Sequence, residues 1–264
     1  MNNKQFKGKV ALITGGSRGI GKAISLKLAA QGADVIINYL RKRGAAESTA
    51  EEIRANGVRV YAVKANIGEP DKIDAMFDEI RSEFGRLDIL VNNAASGVAR
   101  PVMELDARGW DWTMDINARG ALLCSQKAAE LMDKGGSIVN ISSLGSRMAL
   151  PMYAAVGISK AALEALTRYL AVELAPKGII VNGVAASAVL TEALKVYASN
   201  PEKKKQFLQS TPAGRMVQPE DIADVASFLC SPQASMIRGQ IITIDGGRSI
   251  TPPGYDSSSN EQGD

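Results

Sequence analysis

The stretch Lys9–Gly21, KVALITGGSRGIG, decides the fold of this chain. Its first six residues form an apolar run of strand length, and a helical pattern follows its last glycine. Gly15, Gly19 and Gly21 lie between the two, where glycines allow a tight turn and a close approach of the backbone to a ligand. The first N–H groups of the helix and its dipole attract phosphate. The stretch therefore predicts a dinucleotide site in the first strand-to-helix turn, with a purely structural turn as the alternative.

The rest of the chain alternates between short apolar runs and helical patterns. Further strands are predicted at 34–39, 59–65, 87–91, 137–141, 179–182 and 240–244. Helices are predicted at 45–55, 70–84, within 110–132, at 154–175 and at 219–230. This alternation predicts an α/β fold, a single Rossmann-type doubly wound parallel sheet of about seven strands with helices on both faces.

The pattern also predicts the domain organisation. Residues 1–250 read as one domain with no internal repeat. Residues 191–215 interrupt the alternation and are predicted to form a substrate lid. Residues 251–264 are polar and rich in turn-forming residues, which predicts a disordered tail.

Composition excludes several classes of function. The chain has 264 residues, a formal charge of +3 and 5% aromatic residues, so a nucleic-acid-binding surface is not expected. It contains no run of 18 apolar residues for a membrane span and no secretory leader, so we predict a soluble cytoplasmic protein. It contains no histidine, which excludes a Ser-His-Asp triad and a His-ligated zinc site. Cys124 and Cys230 lack metal spacing and are predicted to be reduced core residues, so no metal site is expected.

The end of the second predicted strand indicates which dinucleotide binds. Residues 38–43 read NYLRKR, without the carboxylate that usually accepts the ribose 2′-hydroxyl of NAD. A 2′-phosphate instead needs cations. We therefore predict NADPH, with Arg18 and Arg41 as phosphate partners. A solvated basic loop is the alternative.

A second group of polar residues surrounds the fifth predicted strand. Ser143 follows that strand, and Tyr153 and Lys160 lie seven residues apart, which is two helical turns or about 10 Å. A cation near a phenol favours the phenolate, so this pair suits proton donation. A packed tyrosine and a surface lysine are the alternative. Asn117, on the long predicted helix, is expected either to anchor a water near Lys160 or to kink its helix.

Together these motifs resemble the short-chain dehydrogenase/reductases across nearly the whole chain. The resemblance rests on the glycine loop, Asn92-Asn93-Ala94, Asn117, Ser143 and Lys160. That family usually places a tyrosine four residues before the lysine, where this chain has Val156. Tyr153, seven residues before Lys160, is the arrangement of the enoyl-acyl-carrier-protein reductase branch. The chain resembles most closely the type III (FabL-type) NADPH-dependent enoyl reductases, through segments 92–98, 100–105, 110–114, 211–216, 236–240 and 245–249.

The resemblance implies a reaction and a set of site residues. Hydride would pass from NADPH to the β-carbon of a trans-2-enoyl thioester, carried by acyl carrier protein or CoA in fatty-acid synthesis, in a homotetramer. Tyr153 would bond the thioester carbonyl, Lys160 the nicotinamide ribose, and Ser143 and Asn117 would complete the catalytic set. The cofactor-binding residues would be Gly15, Ser17, Arg18, Gly19, Ile20, Asn66, Ile67, Asn93, Ala94, Lys160, Val189 and Thr191, in addition to Arg41.

Departures from the family pattern leave alternatives open. Ala149 stands where this branch commonly has a second tyrosine, and Ala186-Ser187 replaces the usual Pro-Gly. Ser143 is either catalytic or structural. Lys203–Lys205 suits either an acidic carrier protein or a solvated lid face. A carbonyl or 3-oxoacyl thioester reductase and a catalytically silent dinucleotide-binding protein remain the competing functions.

Overall fold

The architecture is a seven-stranded, fully parallel sheet with helices on both faces. The structure, a computed structural model, describes residues 4–189, 211–252 and 255–256. The strand order is β3-β2-β1-β4-β5-β6-β7, and every neighbouring pair is parallel. The predicted doubly wound α/β fold is confirmed.

The strands and helices alternate along the chain. The strands are β1 Val10–Ile13, β2 Asp34–Tyr39, β3 Val60–Lys64, β4 Ile89–Asn92, β5 Gly136–Ser143, β6 Ile179–Ala186 and β7 Ile241–Ile244. The helices are α1 Gly19–Ala30, α2 Arg43–Arg54, α3 Pro70–Phe84, α4 Ala107–Met114, α5 Gly120–Leu131, α6 Ala154–Glu173 and α7 Pro219–Leu229.

Each face of the sheet has its own apolar core. One core joins the sheet to α1, α2 and α7, and the other joins it to α3, α5 and α6. The central strands are apolar on both faces: all four residues of β1 are buried. Strands buried on both sides read as continuous apolar runs, which is why their sequence pattern was clear.

Two predicted elements differ from the structure in ways that affect the site. The long helix expected within 110–132 is divided into α4 and α5 by a π-helical segment, Asp115–Arg119. Such a segment inserts one residue per turn and re-aims the side chains that follow, and it is frequent at functional sites. The predicted strand 137–141 continues as far as Ser143, so this serine lies at the end of β5 rather than in a loop.

Part of two predictions lies outside the described residues. Of the predicted lid, 191–215, only 211–215 are described, and Thr191 and Lys203–Lys205 are not. Of the predicted tail, 251–264, four positions are described. Within the described chain, no helix is long and apolar enough to cross a membrane, and no cluster of acidic or cysteine side chains has the grouping of a metal site.

Candidate active site

The glycine loop after β1 has the backbone geometry of a phosphate-binding turn. Gly15 and Gly19 have φ angles of +63° and +52°, in a region of backbone conformation that residues with a side chain rarely adopt. Gly21, in the first turn of α1, packs so closely on the carbonyl of Gly15 that a Cβ there would overlap it. The first turn of α1 carries no acidic residue. Its free N–H groups and positive dipole end are therefore available to an anion.

The end of β4 holds this loop in place. The Thr14 hydroxyl accepts hydrogen bonds from the N–H groups of Asn93 and Ala94, each at 3.0 Å. The Asn93 amide donates to the carbonyls of Thr14 and Gly15 at 2.9 and 3.2 Å. On the other side, buried Asn38 of β2 accepts from the N–H of Gly15 at 3.2 Å. Three adjacent strands thus fix one loop, at the edge where ligands bind in open α/β sheets.

A cleft of about 690 Å³ opens above this loop. The cofactor residues expected from sequence that line it are Gly15, Ser17, Arg18, Gly19, Ile20, Arg41, Asn66, Ile67, Asn93 and Ala94. Lys160 and Val189 are described but do not line it; Val189 is buried and pairs with Val217 as an isolated bridge. The cleft therefore brings together the residues expected for the adenosine and phosphate half of a dinucleotide.

The mouth of the cleft is basic. Arg18 and Arg41 are exposed and line it, and Lys42, which the sequence prediction omitted, lines it beside them. No acidic side chain lines the cleft among the described residues. This is the charge distribution expected for a ligand with an additional phosphate.

The proposed catalytic tyrosine lies at the end of β5. Tyr153 is the N-cap residue of α6, one position before the helix. Its hydroxyl lies 3.5 Å from Ser143 Oγ, and its ring packs on Gly145, where a Cβ would overlap it. Ser143 Oγ also accepts from the N–H of Gly145 at 3.2 Å. The structure thus brings the two hydroxyls together.

Lys160 is buried beneath the same strand. Only 4% of it is exposed, and its Nζ donates to the carbonyl of Ile141 at 2.7 Å. Burial lowers the pKa of the Lys160 ammonium to about 8, because the interior disfavours the charge. The alternative of a surface lysine is therefore wrong.

Asn117 lies within the π-helical segment and is 1% exposed. Its amide donates to the Ser96 carbonyl and to Ser159 Oγ, both at 2.9 Å, and its carbonyl accepts from the N–H of Ser96. Asn117 therefore joins the loop after β4 to α6. It contacts α6 at Ser159, the residue before Lys160. The helix is indeed irregular at this asparagine.

Glu164 is a site residue that sequence reasoning missed. It is 5% exposed and lies one helical turn after Lys160 on α6. Its carboxylate accepts from the hydroxyls of Ser142 and Ser146 at 2.8 and 2.6 Å and from Arg147 Nε at 3.1 Å. These partners flank Ser143 on both sides. Glu164 therefore ties the segment that carries Ser143 to the helix that carries Lys160.

Val156 occupies the position four residues before Lys160. It packs directly on Gly97 in the loop after β4, where an added Cβ would overlap Val156 Cγ2. An isopropyl group can neither donate a proton nor bind an oxyanion. Any phenol chemistry at this end of β5 therefore falls to Tyr153.

Comparison with known proteins assigns the family. Residues 15–249 match the sequence pattern of the family described as Enoyl-(Acyl carrier protein) reductase. The 3-oxoacyl-[acyl-carrier-protein] reductase FabG of Staphylococcus aureus (strain Mu50) is 40% identical over 241 residues, which cover 90% of this chain and 97% of the relative. A short-chain dehydrogenase/reductase from Serratia marcescens superposes with a TM-score of 0.87 at 36% identity, covering 93% of this chain and 99% of that structure. The chain belongs to the short-chain dehydrogenase/reductase superfamily.

Other members of the superfamily differ in substrate. The 1-cyclohexenylcarbonyl-CoA reductase of Streptomyces collinus is 37% identical over 255 residues, covering 96% of this chain and 91% of the relative. The angucycline C-6 ketoreductase LanV, solved with bound NADP, superposes with a TM-score of 0.87 at 35% identity, covering 94% of this chain and 98% of that structure. As a short-chain dehydrogenase/reductase, the protein is an oxidoreductase. Its predicted closeness to the FabL-type branch stays a prediction.

Proposed function

We propose that the protein is an NADPH-dependent enoyl thioester reductase, which reduces the C=C bond of a trans-2-enoyl thioester. The position of the phenol is the observation that carries the proposal. Tyr153, seven residues before Lys160, places its hydroxyl 3.5 Å from Ser143 Oγ, while the position four residues before Lys160 is an apolar valine. This is the arrangement of the enoyl reductase branch that the sequence resembles.

The residues present fit a nicotinamide dinucleotide with a 2′-phosphate. The glycine loop and the N-terminus of α1 would hold the pyrophosphate, and Arg18, Arg41 and Lys42 would pair with the 2′-phosphate. The two neighbours LanV and a dehydrogenase from Agrobacterium tumefaciens were both solved with NADP, which supports the same cofactor here. Bound NADPH would supply the hydride.

The protein's own residues would stabilise the charge that develops on the substrate. Addition of hydride to the β-carbon moves negative charge onto the thioester carbonyl oxygen. The Tyr153 hydroxyl would donate a hydrogen bond to that oxygen, with Ser143 as its neighbour, and would supply the proton that completes the reduction at the α-carbon. The buried Lys160 ammonium would hold the cofactor ribose and favour the same negative charge. Asn117 and Glu164 would position these groups without contacting the substrate.

Reduction of a 3-oxoacyl thioester at its carbonyl carbon is the second candidate. The relatives from Staphylococcus aureus, Staphylococcus epidermidis and Synechocystis are 3-oxoacyl-[acyl-carrier-protein] reductases, and they support this candidate more than the enoyl one. The family description and the Streptomyces collinus relative support enoyl reduction. In the second candidate, Tyr153 would protonate the former carbonyl oxygen directly.

The proposed partners follow from the substrate and from the exposed surface. The thioester would be carried by acyl carrier protein or CoA, in the cytoplasm. Three large apolar side chains of α6, Ile158, Tyr169 and Val172, are 43%, 69% and 74% exposed. Apolar groups exposed along one helix support contact with further copies of the chain, as in the proposed homotetramer.

Parallel assays separate the two reactions. NADPH oxidation is followed with crotonyl-CoA and with acetoacetyl-CoA, for the wild type, Tyr153→Phe and the exposed-tyrosine control Tyr169→Phe. We expect turnover of the crotonyl thioester, reduced by about 10²–10⁴-fold in Tyr153→Phe and unchanged in Tyr169→Phe. Turnover of acetoacetyl-CoA alone would establish the carbonyl reductase. NADPH binding without turnover of either substrate would support the silent binding protein.

A further inference from the structure

A second cavity, of about 560 Å³, adjoins the cofactor cleft. Its lining includes Arg41, Arg100, Arg108, Asp106 and Trp112. Arg41 and Trp112 line both cavities, so the second cavity begins where the cofactor cleft ends. Of its lining residues, the proposed reaction uses only Arg41, as a partner of the cofactor 2′-phosphate.

The second cavity carries unbalanced positive charge. Three guanidinium groups face one carboxylate, and that carboxylate is already engaged. Asp106 caps α4 by accepting from the N–H of Gly109 at 2.6 Å, and its other oxygen lies 3.3 Å from Arg100 Nη1. Arg41 and Arg108 have no carboxylate partner within the described chain. Planar guanidinium groups bind phosphate in a bidentate manner, so this lining suits a phosphate.

The second cavity is linked to the proposed catalytic tyrosine through the backbone. The backbone of Arg100 forms a parallel bridge with Tyr153, so one residue joins the cavity wall to the catalytic end of β5. Trp112, 39% exposed, provides an aromatic wall between the two cavities. A ligand that extends from Tyr153 along the loop after β4 would bring its far end to Arg100 and Arg108.

We propose that this cavity binds the phosphate of the phosphopantetheine arm on which the thioester substrate is carried. This inference rests on the proposed thioester substrate. The same phosphate and arm occur in CoA and in acyl carrier protein, so both carriers would use the site. Arg100 and Arg108 line only the second cavity, which separates their role from that of the cofactor cations Arg18 and Lys42.

Kinetics with three crotonyl thioesters test the proposal. Arg108→Ala is compared with Arg54→Ala, which removes the same charge from the far end of α2. We expect Arg108→Ala to raise the KM for crotonyl-CoA and for crotonyl-acyl carrier protein by about tenfold, a loss typical of a charge-assisted hydrogen bond. The KM for the phosphate-free N-acetylcysteamine thioester and for NADPH should not change. Arg54→Ala should change none of these values.

Several results would overturn the proposal. If Arg108→Ala changed the KM for all three thioesters equally, or for none of them, the cavity would not be a phosphate site. An effect confined to CoA would assign the cavity to the phosphates that CoA alone carries. A raised KM for NADPH would assign it to the cofactor.

A binding measurement separates this inference from the proposed function. Calorimetry of the NADP⁺-saturated wild type with 4′-phosphopantetheine and with pantetheine should show tighter binding of the phosphorylated compound, and Arg108→Ala should abolish that difference. Equal binding of the two compounds to the wild type would overturn the phosphate site. If the difference is present but no enoyl thioester is reduced, the proposed reaction fails and the phosphate site stands.

Discussion

The cofactor cleft and the catalytic end of β5 are built by opposite means. The cleft is open to solvent and is shaped by backbone: glycines with positive φ, free N–H groups at the start of α1, and the carbonyls of Thr14 and Gly15, to which the Asn93 amide donates. The proposed catalytic end consists of side chains that hold one another, with Ser143 and Tyr153 partly buried and Lys160 and Glu164 at 4% and 5% exposure. A backbone site tolerates few added atoms, whereas a side-chain site depends on particular hydrogen bonds. Substitutions in the cleft should therefore weaken NADPH binding, whereas substitutions at the end of β5 should lower kcat.

After the loss expected from Tyr153→Phe, the largest effect is expected from Gly21→Ala, which adds one methyl group to the cofactor side. That Cβ would overlap the carbonyl of Gly15 and the amide of Asn93, and overpacking of this kind costs about 1–3 kcal/mol. We expect the Kd for NADPH, measured by fluorescence titration, to rise about 10- to 100-fold. Gly44→Ala is the control, because a Cβ at Gly44 has open space around it. Equal NADPH affinity in the two variants would show that the loop adapts.

A smaller effect is expected from Glu164→Gln on the catalytic side. The amide keeps the shape of the side chain but removes the charge that pairs with Arg147 and strengthens the bonds from Ser142 and Ser146. We expect kcat to fall about fivefold, as for the loss of about 1 kcal/mol, with an unchanged Kd for NADPH.

Two further measurements separate positioning from general destabilisation in this variant. The Tm of Glu164→Gln with bound NADPH should stay near that of the wild type, and Glu173→Gln, on an exposed position of the same helix, should leave kcat unchanged. A raised Kd for NADPH with unchanged kcat would place Glu164 on the cofactor side.

Near pH 8, the smallest effect is expected from the titration of Lys160. Lys160 has a pKa of about 8, below its ordinary 10.5, because burial disfavours the ammonium. If the ammonium supports turnover, kcat should fall by half near pH 8 and continue to fall above it. Stability should change in the opposite sense. Between about pH 8 and 10.5 the unfolded chain binds this proton and the folded chain has lost it, so the contribution of Lys160 to the free energy of unfolding rises with pH.

Two measurements check these pH dependences: unfolding of the wild type compared with Lys160→Met, and the kcat of the wild type. Urea unfolding from pH 7 to 10 should show a rise in the wild type relative to the variant. A kcat that stays constant from pH 7 to 9 would show that the proton of Lys160 is not needed.

The sequence predicted the cofactor side more completely than the catalytic side. The loop from Gly15 to Gly21 and the basic residues near Arg41 are local in the chain, and glycine spacing and charge indicate their role directly. Glu164 gave no such signal, because a glutamate in a helical pattern is read as solvent-exposed. It is buried only because Ser142, Ser146 and Arg147 converge on it from a separate segment. For the π-helical segment the sequence indicated only a possible kink at Asn117, because its residues fit an ordinary helical period.

The bonds between Thr14 and Asn93 also have a consequence for the order in which the molecule forms. These residues are 79 positions apart in the chain and meet because β1 pairs with β4 in the sheet. During synthesis the glycine loop leaves the ribosome early and can bond Asn38 of β2, but its partners at the end of β4 follow only later. Closing a long segment before its contacts form costs entropy and slows folding. We therefore expect a nascent chain to gain nucleotide affinity only after β4 has formed, and a bound nucleotide to oppose the separation of Thr14 from Asn93.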